Sequence, residues 1–255
     1  MKIGIIGYGF LGQAMRNIFI DHHQVVIHDP PRGWGLRPVG ADLEIICVPT
    51  PSGPNGECNT SIVRKVIMNS SAPLILIKST VAPCTTDQLA ADFPDKRIVF
   101  SPEYMGESKY HVPNEFLHPT DARQHGFMIL GGKPKDCSDV IDIFLPILGP
   151  TCRFRTMSAL DAEIVKYAEN SFFAMKVTFA NELRRIADAF GANYHSIREG
   201  WLDDPRVGPM HSAAFKQEPG FGGKCLPKDI SALAYACREA GYQSTLLEAV
   251  IEANE

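Results

Sequence analysis

Lys2-Ile3-Gly4-Ile5-Ile6-Gly7-Tyr8-Gly9-Phe10-Leu11-Gly12 opens the chain, and its reading decides the fold. A short apolar run ends in GxGxxG, and residues 11–20 then take up helical spacing. The first glycine allows a tight turn, the second lets backbone amides approach a pyrophosphate, and the third allows close helix–strand packing. Outward from this turn, Val25-Val26-Ile27-His28 reads as a second strand ending at Asp29. That is about twenty residues on, where a ribose-binding acid belongs. Such an acid favours NAD over NADP because it repels a 2′-phosphate, although Arg32 nearby points the other way.

Strands are predicted at 2–6, 25–28, 44–48, 74–78, 98–100, 127–130 and 152–155, alternating with helices at 11–20, 61–70, 85–93 and 136–145. Continuous apolar runs such as Leu74-Ile75-Leu76-Ile77 imply strands buried on both faces, hence a mostly parallel sheet between helices. One connection is unusual. Between Asp29 and the next strand stand only about a dozen residues, including Pro30-Pro31-Arg32-Gly33-Trp34-Gly35. Extended, they reach roughly 40 Å, enough to cross back over the first strand without a helix. A shortened sheet edge and a less enclosed adenine site are therefore expected.

Beyond Met157 the pattern changes. Leu160, Ile164, Ala168, Phe172, Met175, Phe179, Leu183, Ile186 and Phe190 step by three or four, one stripe along a helix of about thirty residues ended by Gly191. So long an apolar stripe calls for a large partner, and a second copy of the helix supplies one. The expected fold class is α/β, a Rossmann-type doubly wound, mostly parallel sheet followed by a long-helix dimerisation domain, with domains at 1–156 and 157–255.

Composition narrows the function classes. A net charge of −4 gives no basic footprint for nucleic acid or an anionic membrane. No apolar run approaches the ~20 residues of a membrane span, and the N-terminal apolar stretch is too short for a signal peptide. The seven cysteines are scattered without a CxxC pair, which argues against a disulfide framework or a metal site and for a reducing, cytoplasmic compartment.

The richest segment is Pro219-Gly220-Phe221-Gly222-Gly223-Lys224-Cys225-Leu226-Pro227-Lys228-Asp229. Its glycines permit close approach of a ligand, and Pro227 suits the first turn of a helix. Cys225 then stands at a helix N-terminus, where the dipole and Lys224 or Lys228 favour a nucleophilic thiolate.

With these residues the chain resembles the UDP-glucose/GDP-mannose dehydrogenases, which oxidise a nucleotide sugar's primary alcohol to a carboxylate with NAD. The resemblance extends through Val48-Pro49-Thr50-Pro51, Lys78-Ser79-Thr80-Val81, Ser101-Pro102-Glu103-Tyr104, Glu163-Ile164-Val165-Lys166-Tyr167-Ala168-Glu169-Asn170 and Asn181-Glu182, in the family's order. It implies that Cys225 is the nucleophile and that Lys166 and Asn170 bind the oxyanion. Asp229 and Thr80 would hold the water used as base, and Glu103 would serve thioester hydrolysis. Glu107 and Gly222 would line the substrate pocket, and Arg206 would reach a neighbouring subunit's substrate. The cofactor set would be Gly7, Tyr8, Gly9, Phe10, Leu11, Gly12, Asp29, Val48, Pro49, Thr50 and Thr80. The family also implies a homodimer and a further C-terminal domain that grips the nucleotide. This chain is expected to be a short form without that domain, with a partner chain as one way of supplying it.

Two alternatives stand beside this reading. β-Hydroxyacid dehydrogenases share the Rossmann domain and long helix with a lysine and an asparagine, but need no cysteine loop. A catalytically silent NAD-binding, dimerising subunit would need neither the cysteine nor the lysine.

Overall fold

The computed structural model describes residues 1–105 and 121–254. These fall into two compact units: residues 1–51, 58–105 and 121–166, and residues 52–57 with 167–254.

The first unit is built on β1 (Lys2–Ile6), β2 (Gln24–His28), β3 (Leu43–Ile46), β4 (Leu74–Ile77), β5 (Arg97–Phe100), β6 (Phe127–Gly131) and β7 (Arg153–Met157). They form one sheet in the order β2-β1-β3-β4-β5-β6-β7. All neighbours run parallel except β5 and β6, which meet antiparallel through the single pair Phe100 and Gly131. Ile3, Ile5, Leu43, Ile45 and Leu76 point to one face, where Phe19 of α1 (Phe10–Phe19) and Val140 and Phe144 of α4 (Pro134–Leu148) cover them. Ile46, Ile75 and Ile77 point to the other, against Val63 and Ile67 of α2 (Ser61–Met68) and Leu89 of α3 (Thr85–Asp92). Burial on both faces is why these strands read as unbroken apolar runs.

From β2 the chain makes a 3-10 turn, Pro30–Arg32, closed by left-handed Gly33 (φ 84°). It then passes without a helix to β3, on the far side of β1. β2 is thus the outermost strand, the shortened edge that the brief connection predicts.

Helix α5 (Ala159–Ala189) is 31 residues long. Its first turns belong to the sheet unit: Ala162 is fully buried in the core beside Ile77 and Phe100, and a Cβ on Gly131 would lie 2.5 Å from the Ala162 Cβ. The division between the two compact units falls at 166/167, inside the helix. Large residues of the stripe on α5 face outward, with Phe172 and Phe179 exposed at 52 and 51% and Phe190, just beyond the helix, at 85%. The buried side carries small residues, Ala162, Ala174, Ala180 and Ala187, together with Tyr167.

The second unit continues α5 with α6 (Tyr194–Leu202), α7 (Leu226–Glu239) and α8 (Thr245–Glu252). Its core joins Ala174, Phe221, Ile230 and Val250. Asn193 caps α6 by accepting the His195 and Ser196 amides. No helix among the described residues is long and apolar enough to cross a membrane.

Candidate active site

The glycine turn has the geometry its sequence calls for. Gly7 has φ 90°, and a Cβ there would lie 2.6 Å from the Cys47 carbonyl oxygen. A Cβ on Gly12 would lie 2.0 Å from the Gly7 carbonyl oxygen, whereas one on Gly9 would meet nothing within 4 Å. The turn is thus closed on the protein side and open at Gly9, the N-cap of α1, where no side chain caps the first amides. An anion at a helix start is held by such amides. Asp29 accepts the Tyr8 amide at 2.7 Å and lies 3.6 Å from Arg32 Nε. Trp34, unremarked in the sequence, exchanges backbone hydrogen bonds with Asp29 and packs edge-on to Tyr8. Phe10 is exposed and Leu11 half-buried.

The loops after β3 and β4 are joined by side chains. Ser79 Oγ donates to the Val48 carbonyl at 2.7 Å, and Thr50 Oγ1 donates to the Thr80 carbonyl at 2.7 Å. Pro49 lies exposed between them. Residues 48–50 and 80, expected to line the cofactor, are therefore held as one surface in the sheet unit.

In the same unit, Lys78 is buried and donates to Ser101 Oγ (3.2 Å) and the Pro102 carbonyl (2.8 Å). Burial pulls its ammonium down to about 8, opposed by the charge of Glu103. Lys166 donates to the Glu103 carbonyl at 2.7 Å and lies over the Tyr104 ring. Glu103 Oε1 accepts the Met105 amide at 2.8 Å. Two lysines thus fix the backbone that carries Glu103. Glu107 lies outside the described residues. Glu163, fully buried, accepts from the Cys84 amide (2.7 Å) and from Thr86 N and Oγ1 (2.8 and 2.6 Å), capping α3 from another helix. Burial pushes its carboxyl up to about 7 against those donors.

The second unit carries the cysteine. Cys225 is exposed and is the N-cap residue of α7, with Pro227 in the helix's first turn. Asp229, in that same turn, is buried and donates its amide to the Cys225 carbonyl at 2.8 Å. Its carboxylate accepts from Asn170 Nδ2 (2.5 Å) and Lys228 Nζ (2.5 Å). Lys228, expected to support a thiolate, is therefore an ion-pair partner of Asp229. Lys166 and Asn170, four apart on α5, engage different groups, Glu103 and Asp229.

The loop is tied at its start by Asn254. That side chain accepts the Phe221 amide (2.6 Å) and donates to the Phe221 carbonyl (2.9 Å), imitating a backbone pair. Gly220 must be glycine there: it has φ 85°, and a Cβ would lie 2.4 Å from Asn254 Oδ1. Gly222 faces open space. Arg206 is 89% exposed and pairs with Asp204 in its own loop. Lys176 secures that loop through the Val207 and Gly208 carbonyls (3.2 and 3.0 Å). Lys78, Lys176, Glu163 and Asn254 were not foreseen as site supports; a charged residue at the end of an apolar strand was the one local signal, at Lys78.

Residues 160–255 match the model of the UDP-glucose/GDP-mannose dehydrogenase family, central domain. The UDP-glucose 6-dehydrogenase of Rickettsia bellii is 32% identical over 220 residues, covering 82% of this chain and 48% of the relative. That of Haloferax volcanii is 27% identical over 311 residues, covering 100% of this chain and 70% of the relative. The chain spans about half the length of the Rickettsia relatives it matches. Among solved structures, a UDP-glucose dehydrogenase from Pyrobaculum islandicum superposes with a TM-score of 0.84 at 23% identity, over 99% of this chain and 67% of that one, and so shares the fold. Residues 160–255 of the chain are thus similar to the central domain of the UDP-glucose/GDP-mannose dehydrogenase family.

Proposed function

We propose that the chain is the catalytic core of an NAD-dependent nucleotide-sugar 6-dehydrogenase of the UDP-glucose type, working in the cytoplasm. The observation that carries this reading is the buried Asn170–Asp229 contact in the first turn of the helix that Cys225 begins. A buried amide and carboxylate beside an exposed thiol make a proton-handling and nucleophilic group, which a dinucleotide-binding protein alone does not need.

The amides from Gly9 onward and the Asp29 carboxylate would hold NAD⁺, two molecules of which, bound in succession, would supply the hydride acceptors for the two oxidations. The alcohol proton passes to a water ordered by Asp229 and Thr80, while the C6 hydride departs and leaves the aldehyde. An aldehyde has no second hydride to give until a nucleophile adds. The Cys225 thiolate adds to the carbonyl carbon, and the alkoxide so formed is stabilised by the Lys166 ammonium and the Asn170 amide. Loss of the second hydride converts this thiohemiacetal to a thioester. Water, with Glu103 taking its proton, then releases the carboxylate and the Cys225 thiol. The outward stripe on α5 supports a homodimer built on that helix.

The test is NADH formation, read at 340 nm, with UDP-glucose, GDP-mannose and UDP-N-acetylmannosamine. Turnover with at least one of them is the expected result. Absence of NADH with all three, with NAD⁺ binding intact, would leave the silent-subunit reading standing.

A further inference from the structure

The helix-free connection from β2 to β3 leaves one face of the sheet edge without its usual cover. Gly4, Ile6, His28 and Glu44 share that face by register. Over it lies a cavity of about 320 Å³, walled by one face of α2 (Lys65, Val66, Asn69) and by the segment Arg37–Val39. This volume is in the range of small-ligand pockets.

Its floor is not that of a packing defect. Glu44 is a strand residue only 3% exposed, directly opposite Gly4. A Cβ on Gly4 would lie 2.8 Å from the Pro38 ring and 2.9 Å from Glu44 Cγ, so the glycine makes the space in which the carboxylate and the proline sit. Placing a carboxylate mid-strand in a parallel sheet costs solvation that an apolar residue would not. Burial accordingly raises its pKa, with Ser70 and the charges of Lys96, Arg37 and His28 acting against that rise. His28 Nδ1 is buried and has no hydrogen-bond partner among the described residues. Polar groups on the floor, aliphatic walls (Ile6, Val39, Val66) and two cations at the rim make up a binding pocket rather than a core.

We propose that this cavity is a second small-molecule site, distinct from the glycine turn, for an amphoteric ligand. Its N–H donors face Glu44 and His28, and its anionic group lies between Arg37 and Lys65. Two kinds of compound carry that chemistry: a cationic amino acid, with guanidinium and carboxylate, and a guanine nucleotide, with adjacent ring N–H donors and phosphate. Neither source requires the dehydrogenase reading to hold.

Calorimetric titration of the full chain with L-arginine, GMP, AMP and inorganic phosphate, with and without saturating NAD⁺, tests the site. The expected result is binding of arginine or GMP with a Kd of about 1 mM or tighter, and at least about tenfold weaker binding of AMP and phosphate. Glu44→Gln and the surface double variant Arg37→Ala/Lys65→Ala should each weaken it by about tenfold or more. The double variant keeps the test open if Glu44→Gln fails to fold. Arginine binding identifies the amino-acid source and GMP binding the nucleotide source. The proposal is overturned if neither binds, if AMP or phosphate binds equally well, if the folded variants bind like wild type, or if NAD⁺ displaces the ligand competitively.

Discussion

Replacing Glu163 with glutamine gives the sharpest pH signature the structure predicts. The carboxyl is 0% exposed and takes three hydrogen bonds from Cys84 and Thr86. Burial raises its pKa from 4.5 to about 7. An acid that titrates higher in the folded than in the unfolded chain keeps a proton in the native state that the unfolded state has already lost. Its contribution to stability is therefore greatest below pH 4.5 and falls as pH rises toward 7. The whole decline is about 3 kcal/mol. Glutamine has no proton to lose, but it sets an NH₂ against one of the two backbone donors, at a constant cost of about 1–3 kcal/mol. Glu44 shifts in the same direction in both proteins and cancels from their difference. Urea unfolding of wild type and Glu163→Gln at half-unit steps from pH 5 to 8 should show the gap moving by about 2.5 kcal/mol in the variant's favour, the rest of the decline lying below pH 5. Parallel profiles, with a gap constant to about 0.5 kcal/mol, would refute the reasoning.

Other outcomes follow from the same geometry. Cys225→Ser should release about one NADH per site and stall at the aldehyde or an undeacylated ester, since serine is the weaker nucleophile; sustained carboxylate production would falsify the covalent route. NAD⁺ should bind more tightly than NADP⁺ in calorimetric titration, and Asp29→Ala should narrow the difference; equal affinities in wild type would mean that Arg32 governs the ribose end. Light scattering at micromolar concentration should give twice the chain mass, and Phe172→Glu/Phe179→Glu half of that; a wild-type monomer would reject the dimer. Brief iodoacetamide exposure should label exposed Cys225 first, while Cys47 and Cys137, pushed by burial to about 12 and about 11, should lag.

The interior strands were legible because they are apolar runs with glycine or proline close by, and both signals are local. Strand ends moved by only a residue or two, as at β7 (Arg153–Met157 against 152–155). The length of α5 was legible from its period and Gly191, but its buried face was not. Apart from Tyr167, burial there falls largely to alanines and to polar residues such as Glu163, Lys166 and Asn170, whose side chains carry little hydrophobic signal. Cys225 and Asp229 stood out because glycines and a proline frame them. Their supports did not, since each works across long separations: Glu163 reaches Thr86, 77 residues away, and Asn254 reaches Phe221, 33 away. No pattern within a helical turn encodes such contacts.

The lone Phe100–Gly131 pair between β5 and β6 sets where the sheet first breathes. The ladders on either side are registered over four pairs (β4–β5) and five (β6–β7). In deuterium exchange the earliest opening inside the sheet should therefore run along this seam. The β6–β7 pair would part from the five-stranded block as a cooperative piece, while the interior ladders of that block exchange only on deeper unfolding. Gly131 sharpens the effect: the close approach of α5 denies it a side chain, so the seam gains little lateral packing from its own central residue.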